Sequence, residues 1–116
     1  MEILIILNDA PYGHETSYHG LRLADAIMKI EEEANITVYL LNDAVACAKQ
    51  GQQTPNGYYN IERMLRPLLR RGAVLACETC IEARGLKPAE LMEGVRVAKL
   101  GELAQLTLEA DKVLTF

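Results

Sequence analysis

Continuous apolar runs alternate along this chain with segments of helical period. The first run, Met1 to Leu7, stops at Asn8-Asp9, and two others follow, Ile36 to Leu41 and Ala73 to Ala76. Runs of this kind, without polar alternation, predict strands buried on both faces of a parallel sheet. Between the first two, Leu23, Ala26, Ile27 and Ile30 recur at i, i+3, i+4 and i+7, and predict the buried face of a helix. Asn42-Asp43 is placed to cap a short helix through Ala48, and Gly51 to Gly57 reads as an exposed loop rich in breakers. From Tyr58 to Arg71 the residues Ile61, Leu65 and Leu68 share one helix face. Pro67 is expected to bend that helix and Gly72 to close it. A weak strand at Val95 to Ala98, a helix from Gly101 to Ala110 and a strand from Lys112 to Phe116 complete the pattern. Strands alternating with helices predict an α/β fold with a mostly parallel central sheet covered on both faces.

The 116 residues suit one domain, 1–116, and neither an internal repeat nor a low-complexity tract divides them. A formal charge of −4 argues against a binder of phosphate backbones, so no nucleic acid partner is expected. The one basic cluster, Arg66, Arg70 and Arg71, reads as the solvated end of a helix. No stretch approaches the length of a membrane span, so no membrane partner is expected. The opening run also lacks the basic flank and cleavage site of a secretion signal, and the expected compartment is cytoplasmic. Three cysteines suit a reducing environment, and their odd number argues against a disulfide framework.

In parallel α/β sheets chemistry collects beyond the carboxyl ends of the strands. That rule selects Asn8 to Glu15, Asn42-Asp43 and Cys77-Glu-Thr-Cys80. The last holds two of the three thiols. Thr79 and Glu82 have the spacing of a capping box, which would make Cys80 the first helical residue and turn its sulfur toward unpaired amides that favour a thiolate. Arg84 would share the Cys80 face and offer a cation, against the opposing charges of Glu78 and Glu82. A buried structural thiol is the alternative for Cys80. As a redox pair the CxxC does not open the first long helix, as a thioredoxin-like motif would. As a metal site it supplies two ligands, with no second pair to complete a tetrahedral set, so no metal is expected. In the first loop Gly13 and Pro11 suit a tight turn, Asp9 and Glu15 are candidate acid/base or orienting groups, and His14 is the candidate proton shuttle. Turn formation and solvent exposure remain the alternative for Asp9, Tyr12 and His14. His19 reads as a surface residue. No phosphate-binding glycine motif occurs, and no cofactor is expected.

Four segments together resemble the DsrE/DsrF-like, or YchN-like, proteins of sulfur metabolism: Asn8 to Ala24, Pro55 to Asn60, Cys77 to Leu86 and Ala110 to Phe116. The resemblance spans essentially the whole chain. It implies a three-layer α/β/α fold, a homotrimer or a hexamer of stacked trimers, and a persulfide-carrying cysteine at Cys80, with Cys77 as an additional upstream thiol. The expected function is sulfur relay: Cys80 takes a sulfane sulfur from a donor protein and yields it to an acceptor thiol or thiocarboxylate. Cys77 would release that sulfur or protect Cys80, Arg84 would hold the anion, and His14 or Asp9 would manage protons. Two rivals stand beside it, an oligomeric module binding a small anion and a CxxC dithiol oxidoreductase.

Overall fold

A computed structural model of the chain describes residues 1–55 and 59–116. The expected start of a helix at Tyr58, and Asn56-Gly57 of the expected loop, lie outside them. Among the described residues, five strands form one sheet: β1 (Glu2–Leu7), β2 (Asn35–Leu40), β3 (Ala73–Cys77), β4 (Arg96–Ala98) and β5 (Lys112–Thr115). Their order is β4-β3-β2-β1-β5, and every neighbouring pair is parallel. The three apolar runs are therefore the three central strands, and Leu4, Ile5, Leu7, Val38, Leu40, Val74 and Ala76 have at most 1% of their surface exposed. The α/β fold with a parallel sheet is as the apolar runs predict.

Helices α1 (Thr16–Ile30) and α2 (Ile61–Arg71) pack against each other on one face of the sheet. Helix α4 (Leu100–Glu109) lies on the other, where Leu106 shares a cavity with Leu4 of β1. Alternate side chains along a strand point to opposite faces. Leu7 accordingly meets α1, while Tyr39, aligned with Ile6, sends its hydroxyl to the carbonyls of Ala98 and Lys99 at the start of α4, at 3.2 and 2.9 Å. This is the three-layer arrangement.

Three local expectations are corrected. The buried face of α1 is Ser17, Gly20, Leu21, Ala24 and Met28, whereas Leu23 and Ile30 are 39% and 87% exposed. Two apolar stripes compete on this helix, and the one with small residues wins because the helix lies close to the sheet. A Cβ on Gly20 would stand 2.6 Å from the Leu7 side chain and 3.1 Å from the Phe116 ring. Segment Asn42–Ala48 is a 3-10 helix entered from Leu41 with no side-chain cap, because the Asn42 amide bonds to Asn8 instead. Helix α2 is capped by Asn60, whose side chain accepts the Arg63 amide at 3.0 Å, and it continues through Pro67. Gly72 closes α2 as expected, its N–H donating to the Leu68 carbonyl at 2.7 Å, and does so without a left-handed conformation (φ −139°). It is required because a Cβ there would collide with the Ile36 carbonyl oxygen of β2.

Gly72→Ala is therefore expected to lower stability by about 2 kcal/mol through forced displacement of α2 from β2. Urea unfolding checks it, and an unchanged midpoint would count against this close approach.

Candidate thiol site

Parallel register aligns Leu7 with Leu40 and Leu40 with Ala76, so the chain leaves β1, β2 and β3 at one edge. Asn8, Asn42 and the two cysteines emerge there. Helix α3 (Glu78–Ala83) follows β3 without a loop, and its N-cap is Cys77. The expected capping box of Thr79 and Glu82 does not form, because the helix begins before Thr79. Cys80 lies inside the first turn rather than at its first position.

This placement divides the thiols. Cys77 is buried at 6% exposure, its sulfur 3.3 Å from the Thr79 hydroxyl, while Cys80 is half-buried. The Sγ of Cys80 accepts the backbone N–H of Asn42 at 3.2 Å. The two thiols act on each other's ionisation, so their protons leave as those of a pair. Burial opposes ionisation of Cys77, but donation from the Cys80 thiol, from the Thr79 hydroxyl and from the amides of Cys80 and Thr79 outweighs it and lowers its pKa. Cys80 is raised by burial, by its donation to Cys77 and by the Cys77 charge, against the Asn42 amide and Arg84. In the pair, Cys77 is the first anion and Cys80 its donor.

Cys47 provides the contrast. It is fully buried in the 3-10 segment, faces the Asp9 carbonyl at 3.9 Å, and is pushed up to about 12 by burial. Its role is packing.

The remaining candidates divide between the thiols and the scaffold. Arg84 donates Nε to Asp43 at 2.8 Å and Nη1 to the Cys80 carbonyl at 3.0 Å, tying α3 to the segment after β2. Its charge acts on the Cys80 sulfur only as the last of several influences. Asp9 accepts the Thr16 hydroxyl at 2.6 Å on its carboxylate and the Ser17 hydroxyl at 2.7 Å on its carbonyl, which holds the start of α1. His14 is exposed beside Gly13, a residue with φ +97°. Among the described residues no hydrogen bond joins Asp9 or His14 to the cysteine pair. His19 is at the surface, 3.4 Å from Glu15. Among the described residues no cluster of three His, Cys, Asp or Glu side chains could hold a metal ion.

Two groups have site roles that the sequence did not assign. Asn8 and Asn42 lie in segments expected at the site but without a role of their own there, yet Asn42 Nδ2 donates to Asn8 Oδ1 at 3.0 Å, and Asn8 Nδ2 donates to the Phe116 carbonyl at 3.0 Å. The available signal was an Asn immediately after each of two central strands, or one residue beyond, in a residue type that tolerates left-handed backbone. Gln52 gathers the other side of this edge, bonding Tyr12, Cys47 and Lys49 through its side chain and Glu62 and Asn60 through its backbone. Nothing in its sequence context marked it.

A parallel α/β domain with a dithiol at the carboxyl edge of its sheet is the class these features define. A family model described as the DsrE/DsrF-like family matches residues 1–116, and the chain belongs to that family, which is linked to sulfur relay. Protein YchN of Escherichia coli strain K12 is 43% identical over 116 residues, covering 99% of this chain and 98% of its own. An uncharacterized protein of Methanocaldococcus jannaschii is 35% identical over 117 residues, covering 100% of both. The crystal structure of the E. coli ychN protein superposes with a TM-score of 0.94 at 43% identity, over 100% of this chain and 99% of that one. A protein of unknown function from Methanobacterium thermoautotrophicum shares the fold, with a TM-score of 0.81 at 15% identity over 99% and 98% of the two chains.

Cys77→Ser should lower the apparent pKa of Cys80, since the serine removes both the anion and the strongest acceptor of the Cys80 proton. The pH profile of Cys80 alkylation by iodoacetamide, read by peptide mass spectrometry, checks the sign. An upward shift would contradict the proton sharing described.

Proposed function

We propose that the chain is a sulfur-relay protein that carries a sulfane sulfur as a persulfide on Cys80. The observation that carries this reading is the division of labour within one helical turn: a half-buried sulfur that accepts a backbone amide at 3.2 Å, three residues beyond a buried sulfur at the helix N-cap. The Cys80 thiolate, formed as its proton passes to Cys77 or to solvent, attacks the outer sulfur of a donor persulfide. The new bond is Cys80 Sγ–S, the bond broken is the donor S–S, and the donor leaves as a thiolate. In the forward transfer an acceptor thiolate attacks that outer sulfur and Cys80 departs as the thiolate. Alternatively, the Cys77 thiolate attacks Cys80 Sγ, forming the Cys77–Cys80 disulfide and expelling hydrosulfide.

Family membership supports the sulfur chemistry, and the position of Cys80 beyond a central strand supports access by another protein's thiol. His14, exposed on the loop after β1, is the proposed proton carrier, while Asp9 and Arg84 keep the surrounding segments in place. Donor and acceptor are proteins bearing persulfide and thiol or thiocarboxylate groups. Exposed Leu23, Ile30, Leu100 and Leu108 support a homo-oligomer, and the family resemblance supports one built on threes. The mutual influence of the Cys77 and Cys80 thiols on each other's ionisation favours one second reading, a dithiol oxidoreductase.

After incubation with a persulfide donor, mass spectrometry should find one added sulfur on the peptide containing Cys80. The addition should vanish in Cys80→Ser and persist in Cys47→Ser and Cys77→Ser. Equal loading of Cys80→Ser would overturn the relay, and a Cys77–Cys80 disulfide with no loaded species in any variant would favour the oxidoreductase.

A further inference from the structure

Asn42 meets the Cys80 sulfur from outside helix α3, and its backbone is unusual. Its φ is +54°, in the left-handed region that residues other than glycine rarely enter, and that Asn tolerates better than most. The reason for holding it there is local. The extended Leu41 (ψ 160°) directs the Asn42 N–H onto Cys80 Sγ at 3.2 Å, and the left-handed φ of Asn42 turns the following 3-10 segment off the line of that bond. The side chain reaches in another direction, to Asn8 Oδ1 at 3.0 Å. Asn8 is itself held twice by Phe116, through its backbone N–H at 3.1 Å and its Nδ2 at 3.0 Å, both to the carbonyl. A strained residue is thus clamped at one end to the β1 and β5 edge, and its donor is aimed at the thiol.

We infer that Asn42 is a positioning residue for the anionic sulfur of Cys80: its left-handed backbone, clipped through Asn8, aims a fixed amide donor at the thiolate or persulfide. The inference deepens the sulfur-relay reading and rests on it only where the anion is a persulfide. A backbone amide donates but does not accept, so it strengthens as the sulfur gains charge and gives nothing back to a protonated thiol. Opposite in effect stands Cys77, whose charge and acceptance of the Cys80 proton both disfavour that anion. The cationic group facing Cys80 from its own helix is Arg84, already paired with Asp43, and Glu78 and Glu82 add negative charge on α3. Asn42 is therefore the donor that lets Cys80 ionise beside an acidic neighbour.

Two measurements test this without requiring sulfur transfer. In the parent protein the Asn42 amide proton, followed by 15N-edited NMR, should titrate with the midpoint at which Cys80 becomes reactive to iodoacetamide. That response should be lost in Cys80→Ser. Asn42→Ala places a Cβ-bearing residue without the Asn tolerance at φ +54°, and should raise the Cys80 midpoint by about one pH unit. Alkylation below the midpoint would then be about tenfold slower. Asn42→Gly, which enters the left-handed region freely, should recover most of that loss although it also lacks the side chain. An Asn42 amide that stays flat through the Cys80 titration would overturn the inference. So would Ala and Gly variants that both match the parent or both lose equally. If Asn42→Ala does not fold, the amide titration of the parent protein decides alone. A parent protein that shows the titration but loads no sulfur would sink the relay and uphold the role of Asn42 toward the thiolate.

Discussion

Backbone hydrogen bonding between β1, β2 and β3 in parallel register places Leu7, Leu40 and Ala76 side by side, and the site follows from that alignment. Had the strands paired antiparallel, their carboxyl ends would lie at opposite edges, and Asn8, Asn42 and Cys77 could not meet. Parallel pairing in turn demands that both faces be covered, which the largely apolar β1 and β2 permit and helices α1, α2 and α4 carry out. Close approach of those layers accounts for the small residues at Gly20 and Gly72, one against Leu7 and Phe116, the other against the Ile36 carbonyl. Sequence patterning, layer packing and the position of the thiols are in this sense one constraint.

Within the site, burial alone would make both cysteines poor nucleophiles. What separates them is which polar groups each sulfur meets. Cys77, at the N-cap, gathers hydroxyl, thiol and amide donors and becomes the more acidic. Cys80 remains more accessible and depends on the Asn42 amide to offset its neighbour. Cys47, with the same chemistry and no exposure, is pushed up to about 12 because burial outweighs the Ser17 hydroxyl and its own amide. A dithiol in which the buried partner ionises first and the exposed partner meets other proteins suits a carrier that must accept sulfur, hold it and release it.

The strands were legible in the sequence because an uninterrupted run such as Ile3 to Leu7 has no other economical place than a doubly covered sheet. The edge on which Cys80 sits was legible for the same reason, since the end of each run is marked by polar residues. Helix α1 was less so: Leu21, Ala24 and Met28 compete with Leu23, Ala26 and Ile30, and periodicity cannot tell a stripe that packs from one that remains exposed. The start of α3 was misplaced by two residues because Thr79 and Glu82 have capping-box spacing, although strand β3 runs straight into the helix through Cys77. Asn42 escaped notice as a sulfur contact because its part is played by a backbone amide, which no side-chain motif encodes. Arg84 had the right spacing to reach the face of Cys80, but Asp43, distant in sequence, claims its guanidinium.

The central claim is that Cys80 Sγ is the atom that receives the sulfur, under the amide of Asn42. A crystal structure of the protein after treatment with a persulfide donor tests it most directly. The account predicts one additional sulfur bonded to Cys80 Sγ, an Asn42 N–H still donating to that disulfur group, and unmodified thiols at Cys47 and Cys77. Additional sulfur on Cys77 or Cys47, with Cys80 bare, would contradict it.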